Sequence, residues 1–374
     1  MNQTPKKIFL AIPVLFISSL LLFMSCNNEG ISESEYQIEY TRTAQLKNTY
    51  ENEIIVLATT FIQKTSLLKT SIVNFKNNTS ISNLTIAKEN WLEVLKTWKQ
   101  LELYNLSAVE NSFIHFEINR WETNTDNINK FIDGNEVINE AFIAPKGSSS
   151  KGISALEYLL FSSDDNQNVL NSFTIDTNYD RRLDYILALS ENLYLKSNEL
   201  FSLWENDKVS FISSIENGIS GSQNQLTNAM INLIEEVIIS KLGNPLGDNS
   251  GGVLKIDALE AARSKSSLLI IKEHLTALKR CYTGAFIDND IQWGFDNYLK
   301  LISREDLDIN ILDAFNECQI KIDNITNALS VELLENTKSI TDLQESFRDL
   351  LILVKVDLSN AIGATVTLND NDGD

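Results

Sequence analysis

The stretch LTIAKENWLEVLKTWKQLELY, residues 84–104, places Ile86, Trp91, Leu95, Trp98 and Leu101 at intervals of three to five. Apolar residues recurring at that spacing line one face of an α-helix, and a strand would need alternation instead. The same stripe runs through residues 37–75 as Leu46, Tyr50, Ile54, Leu57, Phe61 and Leu68. Outward from these two, helical periodicity predicts helices over 127–142, 151–162, 179–205, 207–242, 256–281, 290–302, 308–336 and 339–362. Gly218 and Gly221 predict a break within 207–242, and Gly243-Asn244-Pro245 predicts the end of that helix. Of four prolines, only Pro145 and Pro245 lie beyond the first thirteen residues, which suits long helices. The one strand-like run, Thr365-Val366-Thr367-Leu368, is too short to build a sheet. The expected fold is therefore all-α, with packed antiparallel helices in two bundle-like halves, 36–205 and 206–374.

The first residues read as an address. Lys6 and Lys7 precede an apolar run from Ile8 to Met24, which closes on Phe23-Met24-Ser25-Cys26 before Asn27-Asn28-Glu29-Gly30. Charge, apolar run and small residue in that order form a secretory signal. A cysteine behind the cut predicts a bacterial lipoprotein: signal peptide 1–25, acylated Cys26, flexible tether 26–35. The partner at that end is then a membrane, reached through the N-terminal lipid. With Asn27 in place of Asp nothing argues for inner-membrane retention, and the expected location is the outer membrane, on either its periplasmic or its surface face.

The chain has 374 residues, 43% of them hydrophobic, and a net charge of −20. Such a charge repels phosphate backbones, so no nucleic-acid partner is expected, and cationic or metal-bearing ligands are favoured. Cys281 and Cys318 remain after acylation, either as one disulfide or as two separate buried thiols. The final Asp370-Asn371-Asp372-Gly373-Asp374 lacks the downstream glutamate of a calcium loop and reads as a solvated acidic tail.

Several segments, in order, resemble the imelysin-like proteins. Lys151-Gly152-Ile153-Ser154-Ala155-Leu156-Glu157-Tyr158 is similar to their G-x-H-x-x-E signature, with Ser154 in the place of histidine. Trp91, Trp98 and Ile118-Asn119-Arg120-Trp121 resemble the family's tryptophan region. Lys241-Leu242-Gly243-Asn244-Pro245-Leu246 resembles its mid-chain turn, and Glu260-Ala261-Ala262-Arg263-Ser264-Lys265-Ser266-Ser267-Leu268 an E-x-x-R-S-x-x-S-L element. Glu122 stands where the family usually has proline. The resemblance implies a role in iron or haem acquisition, with iron or haem as the ligand and uptake components as partners. A metal-dependent peptidase and an outer-membrane protein-binding scaffold are the alternatives.

The residues themselves refine this. Ser154 and Glu157, three apart on a helix, share a face. A hydroxyl is a weak transition-metal ligand, so the shared metal site is degenerate and Glu157 is its remaining metal ligand candidate. Among apolar neighbours the Glu157 carboxylate is expected to be buried, either paired with a base such as Arg263 or left as a ligand. Glu260, Arg263 and Ser267 fall on one helical face and either line a polar pocket near Glu157 or form a solvated strip. His115, among Phe113, Phe116 and Trp121, reads as a hydrogen-bonded core histidine or as a haem or metal ligand. His274 reads as solvated. Two histidines and no H-E-x-x-H do not build a catalytic zinc site, so no catalytic residue is assigned.

Overall fold

The computed structural model describes residues 42–287 and 293–367. The signal, Cys26, the tether and the acidic tail lie outside the described residues. Residues 42–49 are helical and lead through a π turn, Tyr50–Ile54, into α1, Ile55–Asn77. Three residues separate α1 from α2, Ile81–Leu101, so the two pack as an antiparallel hairpin. Their stripes meet in the core: Leu57, Phe61, Leu68, Trp91, Leu95, Trp98 and Leu101 are all buried. The signature segment forms α3, Gly152–Leu160. The long α4, Tyr179–Ser213, lies along α1, where Thr65 and Ser197 hydroxyls hydrogen-bond at 2.9 Å.

After a break at residues 214–221, α5 spans Ser222–Glu236. Then come α6, Ser267–Thr283, α7, Glu305–Asn324, and α8, Thr337–Ile352. Together these elements make the fold all-α. Among the described residues no strand forms, and the sole β-type contact is an isolated bridge between Asn119 and Gly152. Thr365 and Thr367 belong to no regular element, and they pair with side chains: Thr365 N donates to Asn224 Oδ1 at 2.6 Å and Thr367 N to Asn228 Oδ1 at 2.9 Å. Two asparagines one turn apart on α5 thus stand in for a neighbouring strand.

Some boundaries differ from the periodicity. The 127–142 stretch divides into Thr125–Asp133 and Glu140–Ile143, because Asn139 caps the second piece through its Oδ1 and Phe142 N, 3.0 Å. Gly243 does not end the α5 helix. A π turn, Val237–Gly243, carries on into Asn244–Leu246, and the stop is Gly247 at φ +85. There an added Cβ would stand 2.3 Å from Val253 O, so only glycine fits. Cys281 and Cys318 are separate buried thiols, and burial pushes the Cys318 thiol up to about 12.

Candidate functional site

The site grows from the start of α3. Gly152 sits at φ +75, and a Cβ there would lie 2.2 Å from Ile118 O. That close approach lets the Ile118–Asn119 backbone run against α3. Trp91 Nε1 donates to Ile153 O at 2.9 Å and fixes the helix start to α2. Ser154 Oγ then donates to Asn119 Oδ1 at 2.7 Å, and Asn119 Nδ2 donates to Glu260 Oε1 at 3.0 Å.

Glu260 is the hub of a buried charge network. Lys99 Nζ lies 2.8 Å from its Oε1 and Lys241 Nζ 2.6 Å from its Oε2. Lys99 also binds Glu102 at 2.8 Å, Lys241 binds Glu236 at 2.5 Å, and Glu102 Oε2 meets His274 Nε2 at 2.8 Å. Burial alone would raise the acid pKa values. For Glu102, Lys99 and the His274 hydrogen bond outweigh it, and the carboxyl falls to about 2. For Glu260, Lys241 and Lys99 likewise outweigh burial and hold the carboxyl well below its usual range. Beside the network opens a cavity of about 480 Å³ walled by Trp98, Phe116 and Trp121, with His115, Arg120 and Asn105 among its polar lining.

Several sequence expectations are corrected by this geometry. Ser154 and Glu157 do not converge: the serine serves Asn119, whereas Glu157 Oε1 accepts from Ser264 N at 2.8 Å. Arg263 is not the ion-pair partner of Glu157; its guanidinium stacks over the Tyr158 ring at 5.2 Å. Burial raises the Glu157 carboxyl, opposed by the Ser264 bonds and the Arg263 charge. Glu260, Arg263 and Ser267 do not share a helical face. Residues 259–266 are irregular, with Ala261 and Lys265 at φ 53 and 59, and only Ser267 belongs to α6. Glu260 reaches the cavity, while Ser267 Oγ is turned to Glu260 O at 2.6 Å.

His274 is not solvated but fully buried. The overlooked signal is the stripe Ile270, Ile271, Leu275 and Leu278, which contains it. Lys99 and Glu102 were also legible as charges interrupting the Leu95–Trp98–Leu101 face. His115 lines the cavity half-buried, its ring centroid 3.9 Å from that of Phe116, and its Nδ1 is buried without a partner. Burial lowers its pKa, with Arg120 acting in the same sense against Glu102 and Glu236, so the ring is neutral at pH 7.

The donor set does not fit a metal held by the signature segment. Its hydroxyl and carboxylate each have another partner, and the nearby carboxylates hold ammonium groups. Among the described residues no three His, Cys, Asp or Glu side chains cluster as a metal site. Nor is any described helix long and apolar enough to cross a membrane.

Residues 57–353 match the model of the imelysin family, peptidase family M75. No curated protein sequence matches. Two crystal structures share the fold. An imelysin-like protein from Psychrobacter arcticum 273-4 is 17% identical, with a TM-score of 0.74 over 88% of this chain and 98% of its own. A "putative iron-regulated protein A precursor" from Parabacteroides distasonis ATCC 8503 is 16% identical, with a TM-score of 0.72 over 86% and 95%.

Proposed function

The chain belongs to the imelysin family, and on that premise we propose that it is a non-enzymatic binding component of iron or haem acquisition, held at the outer membrane by an acylated Cys26. The observation that carries this reading is His115. It is a neutral imidazole on the wall of a ligand-sized cavity, and its buried Nδ1 has no protein partner. A buried donor or acceptor left without a partner costs about 1–3 kcal/mol, which a bound ligand or water would recover. The name of the Parabacteroides neighbour ties that protein to iron regulation and supports the same direction.

In this reading His115 supplies the ligating nitrogen, and the aromatic walls exclude water and hold an apolar face. The Lys99–Glu260–Lys241 cluster keeps the cavity wall rigid and takes no part in chemistry. Titration of the purified chain with haemin, Fe(II) and Fe(III), beside His115→Ala, tests it. Stoichiometric binding that the substitution weakens about tenfold is expected. No binding of any of the three would sink the proposal. Chelator-sensitive cleavage of an unfolded protein substrate would make the chain a peptidase instead. For the anchor, Cys26→Ser should abolish labelling by radioactive palmitate; labelling that survives would refute the lipoprotein reading.

A further inference from the structure

We infer that the ligand enters this cavity as an anionic organic iron complex bearing carboxylates, not as a bare cation. This rests on the binding role proposed above and names the chemical class. The carboxylates around the cavity are already engaged by buried lysines. Two ammonium groups serve three carboxylates: Lys99 is shared by Glu260 and Glu102, and Lys241 by Glu260 and Glu236, at 2.5–2.8 Å. A bare cation would have to displace a buried lysine and leave its ammonium unpaired, which is costly.

Of the other lining groups, Asn105 Oδ1 is a buried acceptor without a partner, whereas two are donors. Trp98 lines the cavity only 2% exposed, and its Nε1–H is buried with no acceptor. Arg120 lies over the Phe116 ring at 4.7 Å. Among the described residues no carboxylate comes within ion-pair reach of its guanidinium. An exposed guanidinium with five donors in a fixed fork is suited to a carboxylate. With Trp98, Phe116 and Trp121 as walls, the cavity combines the unpaired Arg120 guanidinium, one neutral imidazole and apolar faces. That set complements a complex whose own ligands have given the iron a negative charge and an organic surface. The local arrangement therefore departs from the chain's overall −20, which by itself favours cations.

The two sources of such chemistry are a small carboxylate chelate and a porphyrin with carboxylate side chains. Calorimetry of the full chain with ferric citrate, haemin, haemin dimethyl ester, Fe(II) and Zn(II) separates them. Arg120→Gln and Trp98→Phe are run alongside, with thermal melts as a folding control. We expect one of ferric citrate and haemin to bind at 1:1, and the bare ions to bind at least a hundredfold more weakly. Arg120→Gln should raise Kd tenfold or more without moving Tm, and Trp98→Phe should raise it a few-fold. If haemin is the binder, its dimethyl ester should lose as much as Arg120→Gln does. Tighter binding of Fe(II) or Zn(II), weakened by Glu260→Gln, would overturn this inference and leave the binding role standing. So would full affinity for the complex in Arg120→Gln. Silence from every probe would remove the binding role and this inference together.

Discussion

Helix α6 touches two buried carboxylate sites, one at its middle and one toward its C-terminal end, and they are in opposite states. Toward its C-terminal end, Arg280 Nη2 lies 2.5 Å from Glu53 Oε2, whose carboxyl is fully buried in the π turn before α1. The other oxygen, Oε1, has no partner. Burial dominates there, the single guanidinium does not offset it, and Glu53 rises to about 7. Two turns toward the N-terminal end, His274 meets Glu102, and Glu102 shares Lys99 with Glu260. There the carboxyls are pushed down. The difference lies in the number of cationic and hydrogen-bonding partners per carboxylate. One cation leaves a buried acid inclined to keep its proton, whereas several hold it ionised.

The comparison breaks most visibly at Lys99, which is 1% exposed. Lys99→Met removes one cation from both Glu102 and Glu260, and urea unfolding at pH 7 should show a loss of about 3–5 kcal/mol. Glu53→Gln should cost clearly less at the same pH, because an amide tolerates the half-partnered site. Equal losses would mean that the two sites do not differ as described.

The pH dependence sharpens the contrast because the signs are opposite. Glu53 titrates higher in the folded state than in the unfolded chain, from 4.5 to about 7. The native state therefore keeps a proton that the unfolded state has lost, and stability falls as pH rises from 4.5 to about 7, by up to about 3 kcal/mol. Glu102 titrates lower, so its contribution is present above pH 4.5 and is lost as pH falls toward about 2. Unfolding free energies across this range should show Glu53→Gln flattening the upper slope and leaving the lower one. A Glu53→Gln profile that parallels wild type above pH 4.5 would refute the assignment.

The smallest effect is expected at the outer edge of the network. Ser154→Ala removes one hydroxyl donor from Asn119, which keeps its bond to Glu260. A loss of about 1 kcal/mol is expected, with ligand affinity within twofold. A large affinity loss would place Ser154 in the site itself.

The fold was legible because its evidence is periodic. The stripes of α1 and α2 bury the residues that their spacing marks, except Ile86, which is 44% exposed. The site was only partly legible because it lies where tertiary bonds override local preference. Residues 260–266 contain Glu, Ala, Arg and Lys, all good helix formers. Yet Ser264 N is captured by Glu157 and Glu260 is drawn to two lysines, and the backbone turns left-handed at Ala261 and Lys265. No single-sequence pattern encodes partners 107 or 161 residues away. His115 and Glu260 could be marked as candidates from residue type and neighbours. Lys241 and Arg120, although inside recognisable segments, carried no sign that one is buried between carboxylates and the other unpaired. The family resemblance was visible only as an order of weak motifs, and its histidine position proved to belong to a hydrogen-bond chain.

The Glu260 loop also has a kinetic meaning. Lys241 and Ser267 hold it from nearby in the chain, but the grips of Glu157, Asn119 and Lys99, and the His274–Glu102 bond behind them, join residues separated by 107 to 172 positions. Such contacts close large loops and form only after α2, α3 and α6 have already docked. The network therefore belongs to the native side of the folding barrier. Its removal should appear chiefly as faster unfolding, with the refolding rate almost unchanged. In that sense the charge cluster acts as a latch that sets how long the folded molecule lasts.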